Sequence, residues 1–274
     1  MPADNKIAEI YSSFKNTDNI LVAFSGGVDS SFLLYVLKTF SDVNVSAVTI
    51  KTPYIPQWEV DEAISFCKSL DISHSLIKMP LHKSVIMNPE DRCYRCKSIL
   101  FNKIKEHAVS GGFNIIADGS NADDKKDYRP GMKALKELDI RSPLLEAGFT
   151  KDMIRKHLKD FGLEIWNKPA YACLLTRIPY NTEIDMRDLN IIEESERFLH
   201  KLGFPGTRVR LHGKMARIET NSRFFEKMIE TGIRERIIHT FKAAGIKFVS
   251  LDLEGYRMGS LNPKTQDNNE QGRS

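Results

Sequence analysis

The chain has 274 residues, enough at roughly 150 per domain for one large domain or two modest ones. Its residues are 41% hydrophobic and 28% charged, which supports a buried core, and the net charge of +4 admits an anionic substrate while falling short of a dedicated nucleic-acid binder. The longest apolar run, Phe32 to Leu37, is far short of the ~20 residues that span a bilayer, and the first ten residues lack the basic and apolar regions of a signal peptide. A cytosolic location is therefore expected, where the four cysteines stay reduced.

Residues 20–24 (ILVAF) form a continuous apolar run, as in a strand buried on both faces of a parallel sheet. Helical spacing of Phe32, Leu33, Val36, Leu37 and Phe40 predicts a helix after it, and Val45 to Ile50 a second strand. An amphipathic helix over 57–70, a strand over Ser73 to Ile77 and a helix over about 96–108 come next. Asn114 to Ala117 reads as a strand ending at Asp118-Gly119, then a helix over 150–161 and a short strand at Glu164 to Trp166. Strands alternating with helices predict an open, parallel, Rossmann-like α/β sheet.

The pattern changes near Tyr180. A helix over 186–202 is followed by Arg208 to Leu211 and Met215 to Glu219, a hairpin around His212-Gly213-Lys214. Two helices and a last strand, Phe248 to Leu253, complete an α+β pattern. The expected division is a first domain over 1–180, a smaller one over 181–263 and a polar, disordered tail over 264–274.

Ser25-Gly26-Gly27-Val28-Asp29-Ser30-Ser31 sits between the first strand and its helix. Glycines without Cβ let the backbone approach an anion, Ser30 and Ser31 add hydroxyl donors, and first-turn N–H groups point the same way. Asp29 suits such a cradle only with a divalent cation, here Mg2+. The segment is neither the GxxxxGK[ST] phosphate loop nor the GxGxxG dinucleotide turn. It resembles the SGGxDS signature of the PP-loop ATP pyrophosphatase superfamily. Those enzymes split ATP into AMP and pyrophosphate and so adenylate a substrate for attack by ammonia, an amine or sulfur.

Cys67 is in phase with Ala63, Ile64 and Leu70 and reads as a core residue. Cys93 and Cys96 form a C-x-x-C pair among Arg92, Arg95 and Lys97, whose charges favour thiolate. Cys173 follows the last expected strand of the sheet, at the edge where open α/β sheets bind ligands, and Arg177 is close in sequence. Three cysteines without a matching histidine suit zinc only with a fourth ligand from elsewhere. A [4Fe–4S] cluster is the preferred reading, because three thiolates leave one iron open.

Asp118-Gly119-Ser120-Asn121-x-Asp123-Asp124, Asp127-Tyr128-Arg129-Pro130-Gly131, the Cys173 segment, Leu202-Gly203-Phe204-Pro205 and Arg208-Val209-Arg210 are similar to stretches of the LarE family. These are the ATP-dependent sulfur transferases of nickel-pincer nucleotide biosynthesis. The resemblance implies that ATP adenylates a carboxylate of pyridinium-3,5-biscarboxylic acid mononucleotide, which then becomes a thiocarboxylate. In one branch of the family a cysteine matching Cys173 gives up its own sulfur. Another branch carries cysteines matching Cys93, Cys96 and Cys173 around a [4Fe–4S] cluster, and this sequence resembles that branch.

The expected nucleotide site is Ser25, Gly26, Gly27, Asp29, Ser30 and Ser31, with Asn121, Asp123 and Arg129 in a loop at the same sheet edge. Arg208 and Arg210, two apart on a strand, share a face, and Arg217 returns beside them; their guanidinium groups suit carboxylates and a phosphate. Arg177 is counted with them, and Asp29 and Cys173 are the expected catalytic residues. The expected partners are the anionic pyridinium mononucleotide and further copies of the chain, without membrane or nucleic acid. Alternatives are a PP-loop tRNA thiolase, an ammonia-dependent ligase of the NAD-synthetase kind, and a non-enzymatic ATP sensor.

Overall fold

The computed structural model describes residues 5–126 and 131–257. Asp127, Arg129 and the 264–274 tail lie outside the described residues. The chain folds into two compact units, one of residues up to Val85 with Glu90–Ala170, the other of Ile86–Pro89 with Tyr171 onward. The division falls before Tyr180, so Cys173 and Arg177 belong to the second unit.

The first unit opens with helix α1 (Asn5–Ser12), which the hydrophobic pattern alone did not reveal. There follow β1 (Asn19–Ala23), α2 (Val28–Phe40), β2 (Asn44–Lys51), α3 (Gln57–Ser69), β3 (Ser73–Lys78), α4 (Arg92–Ser110) and β4 (Ile115–Asp118). Short helices α5 (Gly131–Glu137) and α6 (Pro143–Glu146) lead to α7 (Lys151–Asp160). The four strands form a parallel sheet in the order β3-β2-β1-β4. Side chains alternate between its faces as a two-residue period requires. Ile20, Val22, Val45 and Ala47 pack with Phe32, Leu33 and Val36 on one face, while Leu21, Val48 and Ile50 pack with Phe101 and Ile104 on the other.

Two expectations change. Glu164–Asn167 is a 3-10 turn and not a strand. The Arg155 guanidinium donates to the carbonyls of Trp166 and Lys168, so this backbone is satisfied by a side chain instead of a ladder. Among the described residues the sheet extends past β4 only by an isolated bridge between Ala117 and Arg141. On α3, Ala63 and Cys67 are buried as their phase demands, but Ile64 faces outward at 39% exposure.

The second unit contains a 3-10 turn at Leu174–Arg177, α8 (Met186–Lys201), β5 (Arg208–His212), β6 (Met215–Glu219), α9 (Phe225–Ile229), α10 (Thr231–Ala243) and β7 (Phe248–Leu251). β5 and β6 are the antiparallel hairpin, with Arg208 opposite Glu219 and Arg210 opposite Arg217. β7 adds to β6 in parallel, the helical crossover supplying the return, and ends two residues earlier than the sequence pattern suggests. Leu189, Ile192, Phe204, Val209, Leu211, Ile218 and Phe241 form its apolar interior.

Candidate active site

The strand order places a topological switch point between β1 and β4: the chain winds from β1 through β2 to β3, then returns to the other side of β1. The C-terminal ends of two strands flanking such a point leave a crevice between their loops. The loops here are Ser25–Gly27 and Gly119–Asn121, since β1 and β4 are parallel with Ala23 opposite Asp118.

Gly26 has φ +70, and a Cβ there would lie 3.0 Å from the Ala63 Cβ and 3.2 Å from the Glu59 carbonyl oxygen. Only glycine fits this turn without strain. Gly27 is the N-cap of α2, and among the described residues no side chain caps that end, which leaves first-turn N–H groups suited to an anion. The Ser30 hydroxyl donates to the Gly27 carbonyl at 3.2 Å, which leaves Ser25 as donor to Ser30, also at 3.2 Å. Ser31 is wholly buried, its hydroxyl without a partner among the described residues.

Gly119, which sequence reasoning left unassigned, forms the opposite wall. A Cβ on it would sit 2.7 Å from the Ser30 backbone nitrogen. The signal available was a glycine directly after a parallel strand. Lys168 was also missed: its Nζ donates to the Gly26 carbonyl at 2.7 Å and pairs with Glu62.

Asp29 points into this neighbourhood and accepts from the Asn121 Nδ2 at 3.0 Å. Burial raises its carboxyl above the usual range, against the pull of Lys151; Asp124 raises it further, while Asn121 and Arg155 oppose. Asp124 accepts from the Asn121 backbone, and Asp123 accepts from the Lys151 N–H at 2.9 Å at the start of α7. Asn121 thus orients Asp29, whereas Asp123 has one oxygen taken up in holding a helix terminus. Asp118 is fixed by the hydroxyls of Ser120 and Ser142, each at 2.6 Å.

Cys93 is exposed and Cys96 half-buried, one turn apart on α4 and so on one side of it. The Cys96 sulfur lies 3.1 Å from the Tyr54 hydroxyl. Cys67 is a core residue whose thiol is pushed up to about 12 by burial. Among the described residues, no group of three or more His, Cys, Asp or Glu side chains is gathered to hold a metal ion.

In the second unit Cys173 begins the 3-10 turn that ends in Arg177. Arg177 forms a two-pronged pair with Glu196, at 2.8 and 3.1 Å, and its Nη1 donates to the Ala172 carbonyl at 2.9 Å. Burial works to lower its pKa, but Glu196 outweighs it and the shift is upward, with the Cys173 sulfur adding to it. Glu196 also accepts the Val209 N–H.

Arg210 forms a second two-pronged pair, with Glu219 at 2.8 and 2.9 Å, and donates to the Thr176 carbonyl. Arg217 shares Glu219 and reaches Asp252. Arg208 lies between the rings of Tyr171 and Tyr256, 4.8 and 5.1 Å from their centroids. Burial, then the Arg177 charge, lowers its pKa. Arg177 and Arg210 are thus held in ion pairs with Glu196 and Glu219. Arg177, Arg208 and Arg210 are buried, Arg217 stands at the rim, and sequence reasoning missed their counter-ions Glu196 and Glu219.

Among the described residues no helix is long and apolar enough to cross a membrane. No protein-family model matches the chain. It is 31% identical over 261 residues to the pyridinium-3,5-bisthiocarboxylic acid mononucleotide synthase of Lactiplantibacillus plantarum, covering 94% of both chains. An uncharacterized protein of a Synechocystis strain is 35% identical over 94% of this chain and 97% of its own. The tRNA-specific 2-thiouridylase MnmA of Clostridium perfringens matches at 25%, over 54% of this chain and 52% of its own. With a synthase aligned across nearly the whole sequence, and a phosphate loop at the switch point of the sheet, the chain belongs to the LarE family of ATP-dependent sulfur transferases, within the PP-loop ATP pyrophosphatases.

Proposed function

We propose that this protein uses ATP to adenylate a carboxylate of pyridinium-3,5-biscarboxylic acid mononucleotide and converts it to a thiocarboxylate. The observation that carries the reading is the first turn of α2, without a side-chain cap among the described residues and walled by Gly26 and Gly119, in a chain aligned over 94% of its length with a synthase of the corresponding bisthiocarboxylate. A carboxylate resists attack by sulfur because it is anionic and its leaving group is poor. Transfer of AMP removes the charge and supplies a good leaving group.

In the first step a carboxylate oxygen attacks the α-phosphorus of ATP, and the bond to the bridging oxygen of the β-phosphate breaks, releasing pyrophosphate. Backbone N–H groups of α2, with Ser25 and Ser30, hold the departing phosphates. Asp29 and Asp124, two carboxylates within each other's field, have the oxygen donors that Mg2+ favours, and Mg2+ there would neutralise phosphate charge. In the second step a sulfur nucleophile adds to the acyl carbon and AMP leaves; where the Cys173 thiolate is that nucleophile, loss of its α-proton and cleavage of its Cβ–S bond release the thiocarboxylate and leave dehydroalanine. Cys173 is the residue assigned to sulfur delivery, with the Arg177 charge beside it. Arg208 and Arg217 are the arginines assigned to substrate anions, Arg177 and Arg210 supporting them from their glutamate pairs.

Cys93, Cys96 and Cys173 carry the thiolate donor chemistry of a [4Fe–4S] cluster, and the resemblance to the three-cysteine branch of the family supports that reading. Such a cluster, when bound, supplies an open iron position for an additional sulfur atom. The first domain of this reading handles ATP and the second the pyridinium substrate.

Cys173→Ala tests it. The variant should keep ATP binding and AMP formation, because the phosphate loop is built without that residue, and should lose thiocarboxylate. Mass spectrometry reads the replacement of oxygen by sulfur in the nucleotide product. Continued multiple-turnover thiolation by Cys173→Ala would assign sulfur delivery to another residue.

A further inference from the structure

Asn88 lies in Ile86–Pro89, a stretch that packs with the second unit although it precedes α4 in the chain. It is wholly buried and has φ +46, a left-handed conformation uncommon outside glycine. Its Nδ2 donates to the carbonyls of Ile178 and Pro179, both at 2.9 Å, and of Leu175 at 3.2 Å. The Asn88 carbonyl in turn accepts from the Asn181 N–H at 3.1 Å, and the Ile86 carbonyl from the Ile184 N–H at 2.8 Å.

An amide has two N–H hydrogens, so three acceptors share them. The opposite orientation would face an amide oxygen to three carbonyl oxygens, which fixes the assignment. The Oδ1 on the far side is buried and has no partner among the described residues. A strained backbone and an unsatisfied buried acceptor at one residue mark a position held in place by its surroundings, and such positions cluster at functional sites.

What Asn88 holds is the turn that carries Cys173. The Cys173 carbonyl accepts from the Thr176 N–H at 3.1 Å and from its hydroxyl at 2.9 Å, which closes the turn on itself. The Leu175 carbonyl also accepts from the Ile178 N–H at 3.4 Å, and Asn88 is the common side-chain donor to the Leu175, Ile178 and Pro179 carbonyls. Past Asn88 the chain runs, within five residues, into Cys93 and then Cys96. One side chain therefore secures the Cys173 turn to the peptide that leads into the other two cysteines.

We infer that Asn88 is a positioning residue for sulfur transfer: through its side-chain amide it fixes the turn that presents Cys173. The inference rests on the assignment of sulfur delivery to Cys173. It places a specific demand on Asn88 that the ATP half of the reaction does not share.

Asn88→Gly tests this, because glycine adopts the left-handed conformation freely and only the amide is lost. Three quantities are read on the purified, reduced enzyme: AMP formed, thiocarboxylate formed per AMP, and the rate of iodoacetamide alkylation of Cys173 by peptide mass mapping, with buried Cys67 as internal control. AMP formation should stay within about twofold while thiocarboxylate per AMP falls by about tenfold or more, the signature of a step-specific loss. Cys173 alkylation should quicken severalfold as its turn is released, with Cys67 unchanged. Unchanged product per AMP and unchanged Cys173 alkylation would overturn the inference, as would a proportionate fall in AMP and product, which a merely structural residue gives.

Asn88→Asp, which keeps the size but turns the donor into an acceptor, repeats the test if the glycine variant does not fold. Misfolding of both overturns the inference in favour of a structural role. Alkylation is read without turnover, so it reports on positioning even if Cys173→Ala moves sulfur delivery to another residue.

Discussion

Asp29 combines two features that oppose each other in a protein selected for stability alone. Its carboxyl is partly buried, which raises its pKa, and the charge of Asp124 adds to the cost. Asn121 holds the residue beside the turn proposed to take the anion, and on that reading its cost serves the site and not the fold. Asp29→Ala and Ser30→Ala should each reduce AMP and pyrophosphate formation by about 10²-fold or more, the scale of losing a preorganised charge or donor. The thermal midpoint of Asp29→Ala should not fall. Pyrophosphate release at the parental rate in both variants would remove these residues from the chemistry. Gly119→Ala should be as damaging by sterics alone, since its Cβ would have to enter within 2.7 Å of the Ser30 nitrogen. The turn and helix start at Ser25 to Ser31 were legible in the sequence because they are local, two glycines and a helix start in consecutive residues. Lys168, Asn88 and Glu196 were not, since their partners stand 142, 87 and 19 residues away.

Elements explain why the arginines behave as they do. β5 projects Arg208 and Arg210 from one face, as a two-residue period dictates, but β6 sets Glu219 opposite Arg208 in register, where its carboxylate reaches Arg210. The spacing was legible; the register that brings a glutamate to it was not. α8 supplies Glu196 to Arg177 and to the β5 backbone at once, so one carboxylate ties the Cys173 turn to the hairpin. Removing Arg177 leaves that carboxylate buried and unpaired, at a cost of about 3–5 kcal/mol. Arg177→Met should therefore lower the thermal midpoint by roughly 6–15 °C in a chain of this size. The double variant with Glu196→Gln should recover part of the loss, and a drop of less than about 2 °C in the single variant would show the pair to be dispensable. The error at Glu164–Asn167 has the same origin as the missed glutamates. A short apolar run cannot tell strand from 3-10 turn until a distant side chain, here Arg155, claims its carbonyls.

Over the whole molecule, stability should follow the histidines as pH falls. His74 in β3 is lowered by burial, and His212 at the end of β5 is lowered by burial and then by Arg217 and Arg210. A base whose pKa is depressed in the folded state resists the proton that the unfolded chain accepts near pH 6.5, so the stability it contributes is present above that pH and is lost below it. The thermal midpoint should therefore fall between about pH 7 and pH 5, and His74→Gln should flatten part of that slope. A slope identical to that of the parent protein would remove His74 as a contributor. The alternation of strands and helices made the parallel sheet legible at this scale. The order β3-β2-β1-β4 was not, because it depends on which strands pair after the chain has passed them.

The placement of Ile86–Pro89 among residues from Tyr171 onward also sets a timetable for synthesis on the ribosome. Asn88 emerges 87 residues before Leu175, its first partner, an interval of about 4–17 s at ordinary translation rates. Every strand of the parallel sheet has been made by then, and the walls of the phosphate loop with them. The nascent chain can thus assemble the turn at Ser25–Gly27 while the turn that carries Cys173 is still unmade.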